Sequence, residues 1–344
     1  MSFSIGIVGF PNVGKSTLFK TLTKKKVDIG AYPFTTVHPN IGIVTVPDER
    51  LLKIAEVIKP EKVTPTVIEF VDIAGLVRGA HKGEGLGNQF LSQIRSCHAI
   101  LEVIRGFSNS QVENVLGEIN PEKEKEIIKT ELLMKDLDTL ENTIKKIEKE
   151  AKTNTKESKK LALFQKIRNL VSQGKLISEI ELNDEEKAEI KNFQFLTQKP
   201  ILYVLNINGE HQDLKMDLSH LNINLKEEEE ISELSESELK ELNIKSKLDQ
   251  LILACYNTLD LITFYTVTGG KEVRAWTIKR NSRAPEAGGV VHSDFEKKFI
   301  RAENIPWQSL VKSGSWAKAR ELGLIKTVGK DYIIKDGDIL EFKI

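Results

Sequence analysis

Short apolar runs alternate with helix-like stretches over roughly the first 110 residues. The runs are residues 3–8, Ile41-Gly42-Ile43-Val44-Thr45-Val46, Val67-Ile68-Glu69-Phe70-Val71-Asp72 and Ala99-Ile100-Leu101-Glu102-Val103-Ile104. This alternation predicts an α/β fold, a mainly parallel sheet wrapped by helices. The sheet resumes at Pro200-Ile201-Leu202-Tyr203-Val204-Leu205-Asn206. From residue 121 to about 192 the chain is instead rich in Lys and Glu and almost free of Gly and Pro. There Leu133, Leu137, Leu140, Ile144, Ile147 and Ala151 recur at alternating steps of four and three, the spacing of a coiled-coil seam. A polar break at residues 153–156 precedes a second helical pattern through Leu163, Ile167 and Leu170. The pattern predicts two antiparallel helices forming an inserted arm, and a helix of about 25 residues spans roughly 38 Å. A helical subdomain lying flat on the core is the alternative; the narrow apolar stripe favours the arm.

The last 80 or so residues change character again. Thr263-Phe264-Tyr265-Thr266-Val267-Thr268 and Val273-Arg274-Ala275-Trp276-Thr277-Ile278 flank Gly269-Gly270 and predict a hairpin. Residues 331–335 and 339–343 flank Asp336-Gly337-Asp338 and predict a second. A short helix is expected over 294–300. Two hairpins and a helix suggest a small β-grasp module holding Trp276, Trp307 and Trp316, all the tryptophans of the chain. The expected division is residues 1–120 with 196–260 for the sheet domain, 121–195 for the arm and 261–344 for the β-grasp module.

Composition narrows the class. At 344 residues the chain is too long for one small core. No run of about 18 apolar residues exists to cross a membrane. The first residues enter a strand at once without a basic region, so no secretory signal is expected. Two distant cysteines, Cys97 and Cys255, argue for a reducing, cytoplasmic setting and against disulfides or zinc. Fifty basic residues balance fifty acidic ones, so net charge gives no argument for nucleic acid, and no DNA partner is expected. Only local patches could bind RNA. One is Lys279, Arg280, Arg283, Lys297, Lys298 and Arg301, near Arg274 and Trp276, although Asp294, Glu296 and Glu303 interleave with it. The acidic run at residues 227–230 reads as a solvated helix start.

Candidate chemistry sits directly after the first apolar run. Gly9-Phe10-Pro11-Asn12-Val13-Gly14-Lys15-Ser16 fits the phosphate-loop pattern G-x-x-x-x-G-K-[ST] between a strand and a helix. Gly9 and Gly14 let the backbone turn its N–H groups toward a polyphosphate. Lys15 can reach the β- and γ-phosphates, Ser16 can ligate Mg²⁺, and Asn12, Val13 and Thr17 complete the nucleotide cradle. Val71-Asp72-Ile73-Ala74-Gly75 is a D-x-x-G element, in which Asp72 would hold Mg²⁺ through a water and the Gly75 amide would meet the γ-phosphate. Leu76 follows, where many GTPases place a water-orienting glutamine. Within Tyr32-Pro33-Phe34-Thr35-Thr36, Thr36 is the better candidate for a Mg²⁺ ligand closing over the γ-phosphate; a plain polar loop is the alternative. Gly79, Gly83, Gly85 and Gly87 suggest a mobile second switch in which His81 is an exposed loop residue. Asn12 can either help hold K⁺ beside the phosphates or merely shape the loop. At the late strand, guanine readers use N-K-x-D. Here Asn206-Ile207-Asn208-Gly209-Glu210 puts Gly209 at the acid's place, so Asn206 and the Ile207 backbone are expected to hold adenine.

These stretches together resemble the Obg-like ATPase, or YchF, family along nearly the whole chain. The matching segments are residues 9–17, 32–34, 72–77, 83–88, 271–278 and 294–302. The resemblance implies a P-loop NTPase of Ras-like, mainly parallel fold with a coiled-coil insertion and a C-terminal TGS domain. It also implies ATP as the preferred substrate, Mg²⁺ as cofactor, a second switch without glutamine, and the ribosome or ribosomal RNA as partner. Departures from the family pattern are Ala31 for the usual Asn, Glu210 one step beyond the usual N-x-x-E acid, and Asn114 where some members carry a histidine. The family's Ser-Ala-Lys loop stands here as Asn224-Leu225-Lys226.

Overall fold

The computed structural model describes residues 3–24, 40–73, 87–151, 155–209, 216 and 219–344. Among them the strands run β1 (Ser4–Val8), β2 (Ile41–Thr45), β3 (Lys62–Thr64), β4 (Val67–Asp72), β5 (Ala99–Gly106), β6 (Ile201–Ile207), β7 (His220–Ile223), β8 (Leu261–Thr268), β9 (Glu272–Lys279), β10 (Arg301–Pro306), β11 (Lys326–Val328) and β12 (Asp338–Lys343).

The first sheet has the order β2-β4-β1-β5-β6-β7, parallel throughout except that β2 runs antiparallel to β4. β1 and β5 are buried along their whole length, as continuous apolar runs at the centre of a parallel sheet should be. Helices Lys15–Thr23, Gly87–Ser96 and Leu248–Thr258 contribute Leu18, Leu22, Ile94, Leu251 and Ile252 to the surrounding core. β1 ends at Val8, paired to Glu102 midway along the parallel strand β5, so the loops leaving the two strands face the same edge of the sheet.

The insertion is a 31-residue helix, Pro121–Ala151, followed by Thr155–Ser172. The long helix changes partners part-way along. Ile128 and Leu132 belong to the core of the first sheet, whereas Leu133, Leu140, Ile144 and Ile147 pack on Leu163, Phe164, Ile167 and Val171 of the second helix. Leu133, Leu140, Ile144 and Ile147 of the predicted seam thus lie on the buried face of the pair, with Leu137 partly buried beside them. The return to β6 runs through the short helix Asp184–Ile190 and 3-10 turns that bring Phe193 and Phe195 together. Buried Asp136 holds that return by accepting from the Leu196 N–H at 2.9 Å and from the Thr197 N–H and hydroxyl at 2.7 Å each.

The second sheet has the order β11-β10-β12-β8-β9-β3. The β8–β9 hairpin forms as expected from its sequence. The second expected hairpin does not. β12 pairs with β10 and β8, while residues 331–335 form no strand and make only an isolated bridge between Ile333 and Arg283, which lies outside the sheet. The reason is local. The Asp338 carboxylate accepts from the Lys335 N–H at 2.9 Å and from the Tyr332 hydroxyl at 2.9 Å, folding that stretch into a side-chain-held turn. A contribution from far upstream also joins this sheet. β3 pairs parallel with β9, and Leu51 and Ile54 of helix Glu49–Ile58 share a core with Tyr265, Val273 and Ile339. Arg50 clamps the junction, donating to both Asp48 oxygens and, at 2.7 Å, to Asp336, while the Tyr265 hydroxyl donates to Asp48.

Candidate nucleotide site

The phosphate loop occupies the turn from β1 into helix Lys15–Thr23, and its shape depends on three residues with left-handed backbone. Gly9 has φ 148° and Gly14 has φ 106°. A Cβ on Gly9 would come within 2.3 Å of the Val103 carbonyl oxygen, and one on Gly14 within 2.7 Å of Asn206 Nδ2. Asn12, with φ 64°, is a residue type that tolerates this region, and its amide donates to the Glu113 carbonyl at 3.4 Å. The conformational role of Asn12 therefore has direct geometric support.

Lys15 is buried, with 8 % of its surface exposed, and its Nζ donates to the Phe10 carbonyl at 2.7 Å. The lysine thus braces its own loop. Burial lowers its pKa to about 8, against the opposing pull of Asp72 and Glu124, so it remains mostly charged at neutral pH. Ser16, the next residue, donates its hydroxyl to Asp72 Oδ2 at 3.3 Å. Two hard oxygen donors therefore meet at the end of β4 beside the open loop, the donor set that suits Mg²⁺ completed by water and phosphate oxygens. Among the described residues no group of three or more His, Cys, Asp or Glu side chains forms a metal cage.

A cavity of about 540 Å³ opens in front of the loop. Asn12, Gly14, Lys15, Ser16 and Thr17 line its phosphate side, and Phe107, Ile207, Asn208 and Lys226 lie among its other walls. Its volume falls in the range of small-molecule sites. A larger groove of about 1120 Å³ lies on the arm beside Asn142, Lys149 and Leu161, but it is open and has no phosphate loop. The loop cavity is therefore the candidate site.

Asn206 acts differently from a simple base reader. Its Nδ2 donates to the Val13 carbonyl at 2.9 Å and its Oδ1 accepts from the Leu225 N–H at 3.1 Å. It ties β6 to the phosphate loop and to the start of helix Leu225–Ile231. That helix is held to Lys15–Thr23 by the Lys20–Glu229 pair at 2.9 Å. Asn114 spends its side chain locally, donating to the Glu118 carbonyl and accepting from the Leu116 N–H. Thr35, Thr36, Gly75, Leu76, His81, Ala31 and Glu210 lie outside the described residues.

Sequence reasoning missed the wall formed by residues 107–113 and the two charged residues behind it, Arg105 and Glu124. Arg105 is 3 % exposed and donates to the carbonyls of Phe107, Glu113 and Val112 at 3.2, 2.9 and 2.9 Å. Its backbone N–H is accepted by Glu124 Oε2 at 3.0 Å. The available signal was a charged residue ending an apolar strand. Glu102, in the same strand, is 1 % exposed, and its Oε1 has no hydrogen-bond partner. Burial, reinforced by Glu124, pushes its pKa well above the carboxylate range. An acid raised in the folded state weakens the fold as pH climbs above the unfolded-state value, because the folded chain then binds more protons than the unfolded one. Glu102→Met is therefore expected to stabilise the protein by about 1–3 kcal/mol at pH 7. Thermal melts at pH 5.5 and 7.5 check this, and the gain should be larger at pH 7.5.

Fold and loop together define a P-loop nucleotide-binding protein. Residues 4–164 match the family model described as "50S ribosome-binding GTPase", and residues 261–344 match YchF-GTPase_C, described as "Protein of unknown function (DUF933)". The ribosome-binding ATPase YchF of Escherichia coli O157:H7 is 43 % identical over 360 aligned positions, covering 99 % of each chain. That of Bacillus subtilis is 42 % identical over 364, covering 100 % of this chain and 99 % of the relative. The structure of the Schizosaccharomyces pombe YchF GTPase superposes with a TM-score of 0.87 at 34 % identity, covering 99 % of this chain and 98 % of that one. The chain belongs to the YchF family.

Proposed function

We propose that this protein is a Mg²⁺-dependent switch that binds and hydrolyses ATP in preference to GTP and acts at the ribosome in the cytoplasm. The observation that carries the reading is the convergence of Lys15, Ser16 and Asp72 at the phosphate end of the cavity, with Gly209 standing where a guanine reader keeps its acid. The bacterial relatives are called ribosome-binding ATPases, whereas the yeast one is called a GTPase, so the base preference has to be argued from this chain. Without a carboxylate at position 209, nothing there accepts from the two donors of guanine. Asn206, committed to the Val13 carbonyl and the Leu225 N–H, shapes the cavity wall, and the Ile207 backbone beside it is left to meet adenine.

Ser16, Thr36 and, through water, Asp72 would hold Mg²⁺, which would supply charge neutralisation on the triphosphate. Lys15 leaves the Phe10 carbonyl and places its charge on the phosphates. The amides of residues 13–17 bind the phosphate chain, and the Gly75 amide orients the γ-group. Leu76 cannot position water, and Asn114 is spent on its own loop, which favours slow intrinsic turnover. A nucleotide-binding scaffold with negligible turnover is the competing reading. Phosphate release measured with and without ribosomes separates the two: the switch reading expects a rate above that of Lys15→Ala in both conditions, whereas a parent rate equal to the variant's supports the scaffold. A role for K⁺ at Asn12 would appear as a rate that falls when Na⁺ replaces it.

The proposed division remains residues 1–120 with 196–260, 121–195 and 261–344 (the TGS module), with residues 62–64 lending a strand to the last. In that module Arg280 is paired to Asp260 and Arg283 to Asp331. Lys297, Lys298 and Arg301 are exposed and make no ion pair among the described residues. These three are the better candidates for ribosomal RNA phosphates. Reversing the charge of Lys298 and Arg301 should weaken ribosome binding at least tenfold at low salt and reduce its salt dependence, with ATP binding unchanged. Sedimentation with ribosomes over a salt series checks this, and binding unaffected by the change moves the contact elsewhere.

A further inference from the structure

The arm's root is joined to the nucleotide cavity through one buried carboxylate-to-backbone hydrogen bond. Glu124 stands in the first turn of the long helix, and only 2 % of its surface is exposed. Its carboxylate accepts from the backbone N–H of Arg105, the penultimate residue of β5. The Arg105 guanidinium is satisfied by the carbonyls of Phe107, Val112 and Glu113 and stacks over the Phe107 ring at 4.4 Å. Phe107, Ser108, Asn109 and Val112 are cavity wall. The same wall is held from the phosphate loop by the Asn12 amide on Glu113, and from the end of β6 by the Asn208 amide on the Ser108 carbonyl at 3.0 Å.

We propose that Glu124 and Arg105 are positioning residues that couple the arm to nucleotide occupancy. The charges argue for it as strongly as the contacts do. Arg105 is a buried cation whose guanidinium is surrounded by carbonyl dipoles, and burial pushes the Glu124 carboxyl up to about 7, against the pull of Arg105 and Lys15 toward its charged form. Lys15 also feels Glu124, since the two attract each other across the end of β5. Other charged groups acting on this neighbourhood are Glu102 from β5 and Lys125 and Glu126 from the helix itself, with Lys125 paired to Glu122. A triphosphate arriving at Lys15 draws that cation away and adds negative charge. Glu124 then relies on Arg105 alone, and the strain falls on the joint between β5, the cavity wall and the first turns of the arm. Linkage makes the effect reciprocal: a partner that shifts the arm's root changes nucleotide affinity by the same factor.

The inference rests on the nucleotide reading above, and hydrogen exchange on the full-length protein separates the two. Exchange is followed with and without Mg²⁺ and a non-hydrolysable ATP analogue. In the parent, the analogue should slow exchange in residues 107–117 and change exchange in residues 121–132 by about fivefold or more. Glu124→Gln keeps an oxygen to accept from Arg105 but loses the charge. It should bind the analogue within about threefold of the parent, because Glu124 touches no phosphate, yet lose the response at 121–132. Arg105→Lys cannot span three carbonyls and should loosen 107–113 and weaken binding; Glu124→Gln keeps the test decisive should that variant fail to fold. An analogue that binds and protects 107–117 while leaving 121–132 unchanged in the parent overturns the coupling. So does a Glu124→Gln variant that responds like the parent. An analogue that does not bind the parent overturns the nucleotide reading, and the coupling with it.

Discussion

Lys15→Ala should lower ATP turnover by about 10³-fold or more, the cost of deleting a donor aimed at charge that develops in the transition state. The side chain is buried beside Asp72 and already holds the loop through the Phe10 carbonyl, so no neighbouring cation can take its place without rebuilding the loop. Phosphate release under saturating ATP measures the loss, and a variant turning over at the parent rate would remove Lys15 from the site. The fold itself should survive. The alanine opens space toward the cavity that Lys15 lines, so the Phe10 carbonyl it frees can be reached by water.

Gly9→Ala should be the most damaging single methyl in the nucleotide domain. The new Cβ would lie 2.3 Å from the Val103 carbonyl oxygen, which is backbone in the central strand β5 and cannot step aside. The residue also has φ 148°. Overpacking and backbone strain together are expected to cost about 3 kcal/mol or more. Nucleotide binding should be lost as well, because the loop must open to relieve the clash. Gly174→Ala is the control. Its φ of 86° is equally unfavourable for alanine, but a Cβ there meets nothing within 4 Å, so only the backbone cost of about 1 kcal/mol applies. Urea melts of the two variants should therefore differ by about 2 kcal/mol, and equal losses would mean the contact at Val103 is relieved without cost.

What was legible in the sequence was whatever short-range pattern controls. The phosphate loop, the central apolar strands, the arm's heptads and the β8–β9 hairpin each follow from periodicity or from a local spacing of glycines. Three features were hidden because partners distant in sequence decide them. Residues 62–64 carry no strand pattern of their own, yet they complete the C-terminal sheet by pairing with β9, with Thr64 donating to Glu272 and Thr66 bonded to Thr277. Residues 331–335 have a strand's composition, yet the Asp338 carboxylate folds them into a turn and β12 finds β10 instead. Asn206 sits where a base reader is expected, yet both ends of its amide bind backbone groups of the loop and of helix Leu225–Ile231. In the site, the residue types named the chemistry while the wall at 107–113 and its Arg105–Glu124 support had no motif to announce them.

The most direct test of the account is a competition titration of the full-length protein with ATP and GTP in the presence and absence of Mg²⁺. The account predicts tighter binding of ATP, by a modest factor because a site that lacks a guanine acceptor rejects guanine less firmly than a dedicated site selects it. It also predicts that Mg²⁺ strengthens triphosphate binding in the parent and not in Ser16→Ala, since Ser16 and Asp72 are the proposed ligands. GTP binding tenfold tighter than ATP, or a Mg²⁺ effect that survives in Ser16→Ala, would contradict it.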